Sequence, residues 1–226
     1  MSNKFIKHAK ISEAKFKQLV KYFALDLDGL QIAELSGLNR NTVGRYINLI
    51  RQRIAEYCEG NLPPRISNRE VDITVSDEII NSNLEEHGKY KDSGIIFGLF
   101  KSSNRIYTEM VDEQYSLKFR DIVRGVSPWE AATYSVKYWY EFDGLVEIAK
   151  NKYFRLNQTN VHLLNKTSHL NSIKSFWGFA QLRLLKFRGV ARRNFNLHLK
   201  ECEFRFNNRD QNIYSLVMDL VKNNPL

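Results

Sequence analysis

Between Asp28 and Ile50 the chain carries five hydrogen-bonding side chains, Arg40, Asn41, Thr42, Arg45 and Asn48, that a helix would bring to one face. Arginine and asparagine pair bidentately with base edges, and all three types present also bond phosphate oxygens. A face of this kind fits the major groove of duplex DNA. Arg51 and Arg53 follow where contacts to the DNA backbone would fall. A second set is Arg183, Lys186, Arg188, Arg192 and Arg193, five cations in eleven residues around Gly189. On helices flanking a turn they would hold a phosphate backbone. Neutralising about five phosphates predicts that log K falls against log salt with a slope of about −4 to −5.

The elements that must position the first set are legible around it. Ile11, Phe16, Leu19, Val20 and Phe23 recur at helical spacing, and residues 11–60 read as helices punctuated by Gly29 and Gly37. Ala33 is small where two helices must approach closely. Gly37 supplies a turn in which a positive φ is easy. Asn39 is a good N-cap, and Leu38, Val43 and Ile47 would pack the second helix on the first. This is the pattern of a helix-turn-helix; a plain αα-hairpin with no DNA role is the alternative.

Asn61-Leu62-Pro63-Pro64-Arg65 breaks the helical pattern and reads as a linker. Val71 to Val75 then alternates as a strand does. Gly94 to Phe100 and Arg105 to Val111 read as a hairpin around Lys101-Ser102-Ser103-Asn104. Leu117 to Val123 reads as helix, Ala131 to Tyr140 as strand, and Asp143-Gly144-Leu145 as the opening of a short helix. Tyr153 to Leu156 is a further strand, and the pattern after His169 is helical. Phe176, Trp177, Phe179, Leu182 and Leu185 recur at helical spacing and read as core. His198 reads as structural. The organisation is a head at 1–60, a linker at 61–69, and a second domain at 70–226 with a helical C-terminal tail.

Charge sharpens the reading. The chain of 226 residues has a formal net charge of +9, which points to a polyanionic partner. The excess sits at the two ends: +6 over residues 1–69, −6 over 70–150 and +9 over 151–226. Ile148 to Lys200 holds eleven Lys or Arg and no Asp or Glu, whereas a plain solvated surface mixes both signs. A hydrophobic content of 43% excludes wholesale disorder. Cys58 and Cys202 stand far apart, against both a disulfide scaffold and a cysteine zinc site. The first residues form no signal peptide, and no run approaches a membrane span, so a cytoplasmic protein is expected, with no membrane partner and no small-molecule substrate.

Ile96-Phe97-Gly98-Leu99-Phe100-Lys101 with Arg105-Ile106-Tyr107-Thr108-Glu109, then His169 to Ala180, then Leu197 to Asn207, resemble the transposase domain of short bacterial insertion sequences. This is the ISXO-like branch of the DDE transposases, and the resemblance covers roughly residues 70–226. It implies an α/β fold, an RNase H-like mixed sheet flanked by helices, preceded here by the small all-α head. It also implies magnesium-dependent cleavage and transfer of DNA strands, with three carboxylates holding two divalent ions.

Only the first of the three places is a carboxylate. Asp77, in Val75-Ser76-Asp77-Glu78, matches the family's Asp-Glu pair, with Asp72 a rival. The second place falls on Lys137, counting back from Trp139 and Phe142-Asp143-Gly144-Leu145; Glu141 and Asp143 are substitutes close in sequence. The third place falls on Lys174, inside the acid-free stretch, where no shift of alignment supplies a Glu. An ammonium ~4 Å from a divalent ion repels it by roughly 8 kcal/mol at an effective dielectric of ~20. The sequence therefore predicts a catalytically inactive transposase homologue that binds double-stranded DNA, with no cofactor. The alternatives are an active enzyme that uses Mg2+ with an unusual ligand set, or an interaction module that inhibits a related transposase in mixed oligomers. A homo-oligomer is compatible with each.

Overall fold

A computed structural model of the chain describes residues 4–7, 9–63, 76–78, 96–111, 144–147, 152–155, 166–186 and 192–226. In chain order they form α1 (Glu13–Ala24), α2 (Gly29–Ser36), α3 (Arg40–Gly60), β1 (Ser76–Glu78), β2 (Ile96–Ser102), β3 (Arg105–Met110), β4 (Gly144–Glu147), β5 (Lys152–Arg155), α4 (Lys166–Lys186), α5 (Arg192–Asn207) and α6 (Ile213–Asn223). Helices and a sheet in one chain agree with an α/β class. No helix among the described residues is long and apolar enough to cross a membrane. The chain divides into two units: Met1–Leu62 with Leu182–Lys186 and Asn194–Leu226, and Pro63–Gln181 with Phe187–Arg193.

In the first unit the helices start and stop for local reasons. The Ser12 side chain caps α1 by accepting the Lys15 N–H, and Glu13 pairs with Lys17 one turn on at 2.7 Å. Asp28 and Gln31 form a capping box at the start of α2, each side chain accepting from the other's backbone N–H. Gly37 ends α2 at φ 65, in the left-handed region. Asn39 caps α3, its side chain accepting from the Asn41 N–H at 2.8 Å.

The buried residues of α3, Val43, Tyr46, Ile47, Ile50, Ile54, Ala55 and Cys58, keep a three-and-four spacing along one stripe. All but Ala55 share a core with Phe16, Leu19, Val20 and Phe23 of α1 and Ile32 of α2. Phe204 of α5 and Val217 and Val221 of α6 complete it. These last helices, which the sequence assigns to the tail of the second domain, thus pack into the unit that holds the head. Amphipathic spacing shows that a helix buries one face, but not which partner covers it.

Two glycines of this unit make opposite predictions. At Gly37 a Cβ would meet no atom within 4 Å, so Gly37→Ala is opposed only by its positive φ, at a cost of about 1–2 kcal/mol. Gly44, inside α3, also has open space around a Cβ but lies in regular helix. Gly44→Ala should add roughly 0.5–1 kcal/mol. Urea midpoints of the two variants check the pair: one must fall and the other rise.

The second unit contains a five-stranded sheet in the order β1-β5-β4-β2-β3. Every described pairing is antiparallel, so the parallel pair that a mixed sheet requires is not found among these strands. The hairpin of β2 and β3 falls where the sequence places it, with a tighter turn: Ser102 faces Arg105, and Ser103 takes a φ of 55. Residues 144–147 correct the expected short helix. Gly144-Leu145-Val146-Glu147 is a strand, because β2 on one side and β5 on the other supply its hydrogen bonds. Phe97, Leu99 and Ile106 are buried, and the Phe97 ring lies 5.8 Å from that of Trp177. Phe176 and Trp177 are core as expected, whereas Leu182 is 68% exposed. The expected strand at 71–75, helix at 117–123 and strand at 131–140 lie outside the described residues.

Candidate nucleic-acid interface

The turn Gly37-Leu38-Asn39 carries the chain from α2 into α3 and fixes which side of α3 faces the core. Val43 and Ile47 are buried and Leu38 packs partly against them. The opposite side is left to solvent: Arg40, Asn41, Gly44 and Arg45 are exposed, and Thr42 and Asn48 half-exposed. Among the described residues no ion pair engages Arg40 or Arg45. The five donors named from sequence therefore stand together on the first half of α3, and Gly44 among them leaves the helix backbone uncovered.

The other cations separate into two groups. Arg188 and the side chains of Lys186, Arg192 and Arg193 lie outside the described residues. Arg183 does not face solvent: it is 3% exposed, its guanidinium 2.8 Å from Glu201 Oε1 and also paired with Asp26. Its expected role as a phosphate contact is corrected. Charge in the sequence marks a cation, but burial beside two carboxylates makes it a structural one. Arg51 is also withdrawn from the expected backbone contacts, its Nε donating to Glu201 Oε2 at 2.7 Å. Arg53 donates to Glu56 and to the carbonyls of Asn224 and Pro225.

Glu201 is thus the centre of a buried ionic cluster that sequence reasoning does not find. Arg205 Nε also donates to its Oε1 at 2.8 Å, and the other nitrogens of Arg205 donate to the carbonyls of Phe23 and Ala24, where α1 ends. One carboxylate so ties the second half of α3, the end of α4 and α5 to the α1–α2 turn. Burial alone would raise the Glu201 pKa. The guanidinia of Arg51, Arg205 and Arg183 override that and hold the carboxyl well below the usual range. His198, one turn earlier on α5, is pushed down to about 4, first by burial and then by Arg51. It is buried, as a structural histidine should be. The one available signal is the position of Glu201, the first acid after the basic stretch that ends at Lys200.

Of the three places implied for metal ligands, Asp77 is the middle residue of β1, opposite Phe154 of β5. Lys174 lies within α4, with its side chain outside the described residues, and Lys137 lies outside them altogether. Among the described residues no three His, Cys, Asp or Glu are grouped as a metal site requires.

The chain is similar to a protein of Haemophilus influenzae described as an uncharacterized transposase-like protein. The two are 30% identical over 119 residues, which take in 52% of this chain and 94% of the relative. No family model and no solved structure matches the chain.

Proposed function

Given that the chain belongs to a family of transposase-like proteins, we propose that it binds duplex DNA through α3 and does not cut or join strands. The observation that carries the binding half is the exposed donor face of α3. Arg40, Asn41 and Arg45 stand exposed at the start of a helix held by the Gly37 turn and the Asn39 cap. A helix whose first turns carry Arg and Asn places them at base edges, with phosphates within reach on either side. Gly44 has no packing reason to be a glycine within a helix; close approach of that helix to a groove supplies one.

The catalytic half rests on the resemblance to ISXO-like DDE transposases and their RNase H-like domain. The donor set that the resemblance assigns is Asp77 with Lys137 and Lys174. One carboxylate and two ammonium groups do not fit a pair of divalent cations, which need oxygen ligands and are repelled by both lysines. No metal-dependent step is assigned to this chain.

The test is direct. Purified protein incubated with magnesium or manganese and duplexes carrying the terminal sequences of its own gene locus is expected to retain them on a gel without nicking or joining them. Robust cleavage that disappears in Asp77→Ala would overturn the inactive reading and restore the enzyme.

A further inference from the structure

We infer that Lys7, Lys10 and Lys15 form a second DNA contact, in which a docked basic arm beside α3 grips the phosphate backbone. The inference rests on the reading of α3 as the element that enters the groove.

The segment before α1 is built into the unit. Phe5 and Ile6 are buried in the same core as Tyr46 and Val217. The Lys7 N–H donates to the Leu226 carbonyl at 2.7 Å, and the Leu226 N–H to the Phe5 carbonyl at 2.8 Å. Farther on, the Lys10 N–H donates to the Tyr46 hydroxyl at 3.2 Å. Tyr46 follows Arg45 directly on α3 and is buried in its core stripe, so this bond seats the arm against the helix that carries the donor face. Lys15 reaches the end of α2: its Nζ donates to the Ser36 carbonyl at 2.6 Å, beside the Gly37 turn that leads into α3.

Part of the basic charge here has no acid opposite it among the described residues, although the Lys15 ammonium donates to the Ser36 carbonyl. Lys4 and Lys17 face Glu13, at 3.9 and 2.7 Å. Lys7, Lys10 and Lys15 are exposed and make no ion pair among the described residues. Three ammonium groups without an ion pair among the described residues, held on fixed backbone in the unit that also exposes Arg40 and Arg45, suit a partner with regularly spaced anionic groups. Contacts to phosphate fix position and carry no sequence information, and lysine, a strongly hydrated point charge, suits that role better than base reading.

The two contacts are separable by salt. With a duplex of arbitrary sequence, the wild-type slope of log K against log salt should become shallower by about 2 in the double variant Lys7→Ala/Lys10→Ala, close to 0.9 for each phosphate contact. Neither side chain takes part in the core, so the thermal midpoint should stay at the wild-type value; Lys7→Gln/Lys10→Gln serves as a second pair. Lys15→Ala should add about 1 more to the change in slope. An unchanged slope in a folded double variant would refute the arm and leave α3 standing. A wild-type protein that holds no duplex at any salt, or that holds anionic lipid vesicles more tightly than DNA, would refute both.

Discussion

Glu201→Ala is expected to destabilise the first unit by about 3–5 kcal/mol, the range for removing one partner from a buried ionic cluster. Uncompensated charge sets the size of the effect. Glu201 is 1% exposed and receives Arg51, Arg183 and Arg205, whose side chains are 12%, 4% and 7% exposed. Without the carboxylate, three guanidinia remain in low dielectric, with Asp26 the one other acid seen paired with them among the described residues, and their mutual repulsion is added to their desolvation. Glu201→Gln keeps the shape and one acceptor but not the charge, and should recover only a minor part of the loss. The urea midpoint should fall with little change in its slope, since the surface exposed on unfolding is the same. A loss under ~1 kcal/mol, the scale of an exposed pair, would show that the cluster is solvated and not structural.

The same cluster gives the protein a direction of acid lability. The folded-state pKa of Glu201 is depressed, so its contribution is complete above the unfolded value of 4.5 and is lost as pH falls below it. His198 is depressed from 6.5 to about 4, so the unfolded chain binds its proton first and stability falls as pH drops through that window. A depression of that size lowers stability by about 3 kcal/mol once the window has been crossed. Stability should therefore decline from pH 6.5 downward, ahead of the loss from Glu201. A neutral, similarly shaped residue in His198→Asn should flatten the decline between pH 6.5 and about 4.

The second large effect concerns the head alone. A fragment of residues 1–62 is expected to be unfolded. Phe204, Val217 and Val221 contribute to its core from outside that segment. Full burial of three such side chains is worth roughly 5–9 kcal/mol, as much as the whole stability of many domains. The fragment also loses the Arg205 bonds to the carbonyls of Phe23 and Ala24, at 2.6 and 3.1 Å, and the acid that holds Arg51. Circular dichroism should show little helix and no cooperative melt. A fragment that melts cooperatively at wild-type temperature would mean that α5 and α6 only decorate the unit.

How much of this is legible in the sequence follows from the range of the interactions involved. The α2–α3 turn is written locally, in Gly37, Asn39 and the spacing of Val43 and Ile47, and the exposed placing of Arg40, Asn41 and Arg45 follows from the same spacing. The β2–β3 hairpin is local too. Residues 144–147 read as helix although β5, which follows closely, supplies their bonds on one side; those on the other come from β2, some 45 residues away in sequence. Arg183 reads as a DNA contact for the same kind of reason. Its charge is visible in the sequence, but Asp26 and Glu201, which consume it, lie 157 residues before it and 18 after it. An acid-free run from Ile148 to Lys200 marks a basic segment without telling which of its cations face solvent; the acid that answers Arg183 is the next residue.

Whether α3 presents its donor face to duplex DNA is tested most directly by equilibrium binding of the whole protein and its Arg45→Ala variant to a labelled duplex, across a series of salt concentrations. The expected result is salt-dependent binding by the wild type and a loss of about 5–150-fold in the folded variant, from the ~1–3 kcal/mol that an arginine contact to a base contributes. Equal affinity of the two proteins, with both folded, would contradict it.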